Sequence, residues 1–149
     1  MKYIFFSLFL LVALSSFAQS SLKQNFNTKN DLALEGYDPV SYFEQKPQKG
    51  SGSITSMHNG IKYRFASHAN KQKFETNPNT YEPQYGGWCA YAMGLSGEKV
   101  KVDPKTFKII NNKLYLFYNF WGNNTLDEWN KSESQLKNKA ETNWSKILH

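Results

Sequence analysis

Apolar and polar residues alternate along two stretches of the chain, and a tight-turn dipeptide interrupts each of them. The first dipeptide is Asn59-Gly60, which lies between residues 54–58 and residues 61–65. Asn-Gly between two such runs is typical of a β-hairpin, because both central residues of a type I′ turn need positive φ. A second hairpin pattern surrounds Asn111-Asn112, and the apolar run that follows is typical of a strand covered on both faces. The pattern therefore predicts two hairpins.

Helical spacing of apolar residues predicts the elements between and after the hairpins. Ser67 suits the N-cap of a helix that ends at Pro78. Residues 86–93 predict a short buried helix, and residues 126–148 predict one or two amphipathic helices. Together these patterns predict a single α+β domain, with a small antiparallel sheet containing the hairpins and helices packed on one face of it.

The first residues are typical of a secretory signal peptide. Lys2 precedes an apolar run over residues 3–14, and small residues stand at the −3 and −1 positions before a cleavage site after Ala18. The alternative is an uncleaved membrane anchor, but the run is shorter than the ~20 residues that a bilayer span needs. We therefore expect an exported protein, periplasmic or secreted, with no membrane span after cleavage. The predicted segments are a signal peptide (1–18), a flexible N-terminal lead-in (19–32) and a domain with a C-terminal helical segment (33–149).

The distribution of charge and the cysteine content argue against two classes of protein, those that bind nucleic acid and those held together by disulfides. The formal net charge is +6 at pH 7, but the lysines are scattered and form no dense basic run. This distribution argues against a nucleic-acid partner. Cys89 is the only cysteine, so the chain cannot form an intramolecular disulfide.

Three stretches of the chain resemble the YHS domain family, and in particular its exported, stand-alone bacterial members. They are "EGYDPVSYF" (35–43), "GIKYRFASHANKQKFETNPNTYEPQYGGWCAYAMG" (60–94) and "DPKTFKIINNKLYLFYN" (103–119), within a resemblance that covers about residues 34–144. The resemblance implies metal binding, which in this family involves two cysteines in a Phe-Cys-Ser-x-x-Cys pattern. Here Ala66 and Asn70 occupy the two cysteine positions, and His68 is the donor that remains between them.

Cys89 leaves three hypotheses open. Met93 lies one helical turn after it, so both sulfur atoms could bind a copper or zinc ion, with His58 or His68 as a further ligand. A thiol in the first turn of a helix could instead be a nucleophile, because the positive end of the helix dipole favours the thiolate. The third hypothesis is a small buried side chain that only packs in the core.

Aromatic residues and carboxylates complete the candidate chemistry. Tyr85 and Trp88 are predicted to form the rim of a ligand pocket, since their rings carry polar tips. Asp38 and Asp103 each precede a proline and fit turn or cap positions rather than an acid–base pair. The sequence therefore predicts an exported, YHS-like, non-enzymatic binding module for a metal ion, copper through Cys89, or for a small ligand. The alternatives are a cysteine-dependent envelope enzyme and a structural or interaction domain with a buried Cys89.

Overall fold

Five α-helices and eight short strands follow one another along residues 23–149, the residues that the computed structural model describes. The arrangement is α+β, as the sequence predicts. The predicted signal peptide, residues 1–18, lies outside the described residues. The strands are β1 (Thr28–Lys29), β2 (Leu32–Ala33), β3 (Ser51–His58), β4 (Ile61–Phe65), β5 (Asp103–Ile110), β6 (Lys113–Phe117), β7 (Asn119–Phe120) and β8 (Asn123–Asn124). The helices are α1 (His68–Thr76), α2 (Pro78–Tyr81), α3 (Ala90–Leu95), α4 (Thr125–Lys131) and α5 (Glu133–Leu148).

The strands of residues 23–149 form three small sheets rather than one. The largest has the order β1-β2-β4-β3, and β5–β6 and β7–β8 are separate antiparallel pairs. Within the largest sheet, β2 lies parallel to β4, with Leu32 opposite Lys62, while the other pairs are antiparallel. The two predicted hairpins therefore belong to different sheets.

Both predicted hairpin turns are present. Asn59 and Gly60 have φ of 50° and 77°, and Asn111 and Asn112 have φ of 50° and 59°. These are the positive values that a type I′ turn requires. The three apolar side chains of β4 are fully buried, which confirms the predicted inward face of that strand.

Strand β6 separates two hydrophobic clusters. Its Leu114 and Leu116 side chains belong to the first cluster, which packs around β4 and α1. The alternate side chains, Tyr115 and Phe117, belong to the second cluster, which includes Trp129. Because successive side chains of a strand point to opposite faces, one strand can serve two cores. This confirms the prediction of a strand covered on both sides.

The helix after the glycine pair begins later than the sequence predicts. Residues Gln84–Gly87 form a 3₁₀ turn in which Tyr85 and Gly86 have φ of 54° and 61°, outside the helical region. Cys89 is the N-cap residue of α3, so it precedes the first helical turn instead of lying in it. The prediction of a continuous helix from Gly86 is therefore wrong at its start, because left-handed residues interrupt the helical backbone.

Residues 23–32, within the predicted lead-in, carry regular structure and contact the domain. They include β1 and β2, and Asn27 donates from its backbone N to Gly86 O (2.8 Å) and from Nδ2 to Gly87 O (3.1 Å). A Cβ atom at Gly86 would lie 2.9 Å from the Trp144 ring and 3.1 Å from the Asn25 carbonyl oxygen. The glycine pair thus allows the N-terminal segment to approach closely. No helix within residues 23–149 has both the length and the apolar character needed to cross a bilayer.

Candidate functional site

The Cys89 thiol is fully buried and takes part in a closed set of hydrogen bonds. Its Sγ atom lies 3.4 Å from Thr125 Oγ1 and accepts a hydrogen bond from Tyr118 N at 3.3 Å. Thr125 Oγ1 donates to Tyr118 O at 2.9 Å, so the thiol proton is the one shared between Sγ and Oγ1. Through these hydrogen bonds, the Cys89 side chain joins the starts of α3 and α4 to the end of β6.

The four predicted metal ligands are not assembled into one site. Met93 packs in the second hydrophobic cluster, whereas Cys89 packs in the first. His58 Nε2 lies 3.0 Å from Asn59 Nδ2 and 3.8 Å from Glu82 Oε2. His68 is exposed at the start of α1. Across residues 23–149, no group of three or more His, Cys, Asp or Glu side chains is arranged to hold a metal ion.

The two positions that carry cysteines in the YHS pattern meet at a buried carboxylate. Asp38 is 0% exposed, and its Oδ2 atom accepts hydrogen bonds from Ala66 N (2.8 Å) and Asn70 Nδ2 (2.7 Å). Its Oδ1 atom accepts from Val40 N at 2.8 Å, which fits the turn position predicted for Asp38. The two long-range bonds join this turn to the N-terminus of α1, where Ser67 Oγ accepts from Asn70 N as the predicted cap. We interpret this network as structural, since each carboxylate oxygen has a protein donor.

The two predicted pocket-rim residues have different surroundings. Tyr85 lines a small cleft of about 190 Å³ beside Trp144, and its hydroxyl finds no hydrogen-bond partner within residues 23–149. Burial raises the pKa of Tyr85 well above that of an ordinary tyrosine, so its hydroxyl stays protonated. Trp88 instead donates from Nε1 to Asn25 O at 2.7 Å and helps to hold the N-terminal segment.

A larger cleft lies elsewhere within residues 23–149, between the β1–β2 hairpin, the outer face of β4 and residues 101–104. Its volume is about 680 Å³, within the range of about 300–1,000 Å³ that is usual for small-molecule sites. The side chains of Leu34, Val102 and Leu116 are at most 5% exposed and form an apolar floor. The residues predicted to bind a ligand do not line it.

The rim of this cleft is cationic. Lys62 and Arg64 reach it because β4 alternates, with its apolar side chains in the core and its basic side chains on the opposite face. Lys29 and Lys101 extend the rim, and Glu35 adds one carboxylate. Strand pairing holds the two sides together, since Lys62 N donates to Asp31 O at 2.8 Å.

Arg64 carries an unusual donor in this cleft. Its Nε atom is buried and has no hydrogen-bond partner within residues 23–149. The side chain packs over Gly36, where a Cβ atom would lie 3.5 Å from Arg64 Cδ and 3.6 Å from Nη1. A buried donor without an acceptor costs about 1–3 kcal/mol. A ligand oxygen that accepts a hydrogen bond from Arg64 Nε would remove this cost.

Sequence reasoning missed the cleft because its parts are far apart along the chain. The N-terminal hairpin, β4 and residues 101–104 come together only through sheet pairing and packing. A local signal was nevertheless present, since Lys62 and Arg64 share one face of a predicted strand. Two basic side chains on the outer face of a strand indicate a charged surface, although they do not predict a concave one.

Comparison with known proteins adds no assignment: no family model, curated protein or solved structure matches the chain. The resemblance to the YHS domain family therefore stays a prediction from the sequence.

Proposed function

We propose that this protein is a non-enzymatic binding module that holds a small organic ligand in the 680 Å³ cleft. The observation that carries the proposal is the buried Arg64 Nε, which has no acceptor within residues 23–149 and lies in a cleft of ligand size. The apolar floor offers surface for the body of a ligand, and the polar rim offers groups that orient it. This combination is typical of a small-molecule site.

The N-terminal sequence and the YHS resemblance support the setting of this module. A basic start, an apolar run and small residues before Gln19 support export to the periplasm or out of the cell. The resemblance supports a stand-alone YHS-like binding role. We therefore propose an exported module that meets its ligand outside the cytoplasm.

A copper or zinc ion at Cys89 stays a separate hypothesis, and the geometry favours the structural alternative. The thiol is buried and already satisfied by Thr125 and Tyr118. Titration with Cu(I) in competition with a chelator distinguishes the two, using wild type and Cys89→Ser. Equal Cu(I) affinity in both proteins would exclude Cys89 as a ligand. A large loss of Cu(I) affinity in Cys89→Ser would support the metal hypothesis.

A site-blocking variant tests the proposed function. Leu32 lines the cleft and is only partly buried, so Leu32→Trp should fill the cleft without removing core packing. Leu95→Trp is the matched control, because Leu95 is 63% exposed and lies outside the cleft. A set of neutral, anionic and cationic fragments would be tested against all three proteins by ligand-observed NMR.

We expect fragments that bind wild type and Leu95→Trp but not Leu32→Trp. Amide chemical shifts should then move at residues of the β1–β2 hairpin and β4. The proposal fails if no fragment binds wild type. It also fails if the fragments that bind are unaffected by Leu32→Trp.

A further inference from the structure

The charges around the cleft are strongly unbalanced. Lys29, Lys62, Arg64 and Lys101 stand against the single carboxylate of Glu35, which leaves three positive charges unmatched. Within residues 23–149, the ion pairs involve other lysines and His58, and none of these four cations lies within 4.0 Å of a carboxylate. A concave site lined by one sign of charge concentrates ligands of the opposite sign. The cleft therefore favours anions over neutral or cationic compounds.

Arg64 is the side chain best placed to bind the charged group of such a ligand. Three features combine there: the strand position of Arg64, its packing over Gly36 and the buried Nε without an acceptor. The guanidinium group presents its donors in a planar fork that matches the two oxygens of a carboxylate or phosphate. Because the strand and the glycine contact restrict the side chain, less conformational freedom is lost on binding.

The apolar floor of the cleft indicates the chemistry of the rest of the ligand. Leu34, Val102 and Leu116 line the cleft, and their apolar side chains form its base. A small inorganic anion would pair with the rim and leave this floor and most of the 680 Å³ unused. A ligand with an apolar body would cover the floor and exclude water from the ion pair, which strengthens the electrostatic attraction.

We propose that the cleft binds amphipathic organic anions, which carry an oxyanion head group on an apolar body. The head group accepts hydrogen bonds from Arg64, with Lys62 and Lys101 beside it, and the body lies on Leu34 and Val102. This inference rests on the proposed function, since it names the ligand class of the same cleft. It goes beyond that function because a neutral ligand would satisfy the proposed function and not this inference.

Two compounds of nearly equal shape separate charge from size. The probes are 4-phenylbutanoate and its neutral amide, 4-phenylbutanamide, with inorganic phosphate as the anion that lacks an apolar body. Binding to the purified protein would be measured by isothermal titration and by amide chemical shifts. The variants are Arg64→Gln, Lys62→Gln and the site-blocking Leu32→Trp. Lys113→Gln is the charge-matched control, because Lys113 is exposed and lies outside the cleft.

We expect 4-phenylbutanoate to bind wild type at least about tenfold more tightly than the amide, as charge-assisted hydrogen bonds to Arg allow. Arg64→Gln should lower the affinity for the carboxylate by about this factor and leave the affinity for the amide unchanged. Lys113→Gln should change neither affinity. Lys62→Gln should weaken the carboxylate several-fold. Because Lys62 is exposed, this second variant keeps the test decisive if Arg64→Gln does not fold. Added salt should lower the affinity for the carboxylate and not the affinity for the amide.

The contrary outcomes separate the two proposals. Equal affinity for carboxylate and amide, both lost in Leu32→Trp, would overturn the anion inference and leave the proposed function standing. Inorganic phosphate that binds as tightly as 4-phenylbutanoate would overturn the amphipathic part of the inference. If neither these probes nor the fragment set binds wild type, the proposed function and the inference both fall.

Discussion

Replacing Asn70 with alanine tests the buried network around Asp38. The variant removes the 2.7 Å hydrogen bond from Asn70 Nδ2 to a carboxylate that is 0% exposed. Hydrogen bonds to charged groups contribute about 1.5–3 kcal/mol. Alanine improves helix propensity at this position of α1 by up to about 0.7 kcal/mol. Since Ala66 N still donates to Asp38 Oδ2, we expect a net loss of about 1–2 kcal/mol in the free energy of unfolding.

Urea unfolding of the purified protein at pH 7 measures this difference, and the melting temperature should fall by about 4–8 °C. Gln72→Ala is the matched control, because it also replaces an amide by alanine in α1 and Gln72 is exposed. We expect the control to stay within about 0.5 kcal/mol of wild type. If Asn70→Ala is as stable as Gln72→Ala, the hydrogen bond from Asn70 to Asp38 does not stabilise the fold.

Three further predictions concern the close packing at Gly94, the Cys89 thiol and the partly buried carboxyl group of Glu82. Gly94→Ala should destabilise the protein by about 1–3 kcal/mol, because the added Cβ would lie 2.5 Å from a backbone oxygen of α5. Gly52→Ala is the control, since a Cβ at Gly52 meets no atom within 4 Å. Thermal unfolding of both variants measures the difference. Cys89 should react with an alkylating reagent only when the protein unfolds, as mass spectrometry with and without urea can measure, and rapid labelling of the native protein would support the nucleophile hypothesis. Burial raises the pKa of Glu82, against the opposing effects of the Tyr63 hydrogen bond and His58. Since the folded state then holds this proton more tightly than the unfolded state, the free energy of unfolding should fall as pH rises through the raised pKa. Glu82→Gln should flatten that part of a curve of stability against pH. Parallel curves for wild type and Glu82→Gln would contradict this.

The elements that sequence predicts well depend on signals a few residues long. Asn59-Gly60 determines its own turn because few residues tolerate two successive positive φ values. Ser67 caps α1 through a hydrogen bond to a residue three positions later. The start of α3 was predicted less well, because Tyr85 takes a positive φ that its residue type does not indicate. There the N-terminal segment lies close to Gly86, a tertiary contact that no local signal in the sequence indicates.

The candidate site depends on tertiary contacts to a greater degree than the helices and strands do. From the sequence, Cys89 and Met93 share a helical spacing, but the residue at the N-cap and the residue inside the helix pack in different clusters. The partner of the Cys89 thiol, Thr125, is 36 residues away and belongs to another helix. Asn70 likewise reaches Asp38 across 32 residues. No periodicity or local spacing predicts such pairs, because they form only when the elements pack.

The sequence by itself determined the hairpins, the cap of α1, the inward face of β4 and the α+β class, because backbone preference and hydrophobic period act within a few residues. Only the tertiary structure decided that the outer face of β4 lines a cleft. Arg64 appears in the sequence as an exposed strand residue, and it becomes a partly buried cation only when the β1–β2 hairpin and residues 101–104 close around it. Burial and concavity are properties of packed elements, so the proposed ligand site was a result of folding that the order of residues did not reveal.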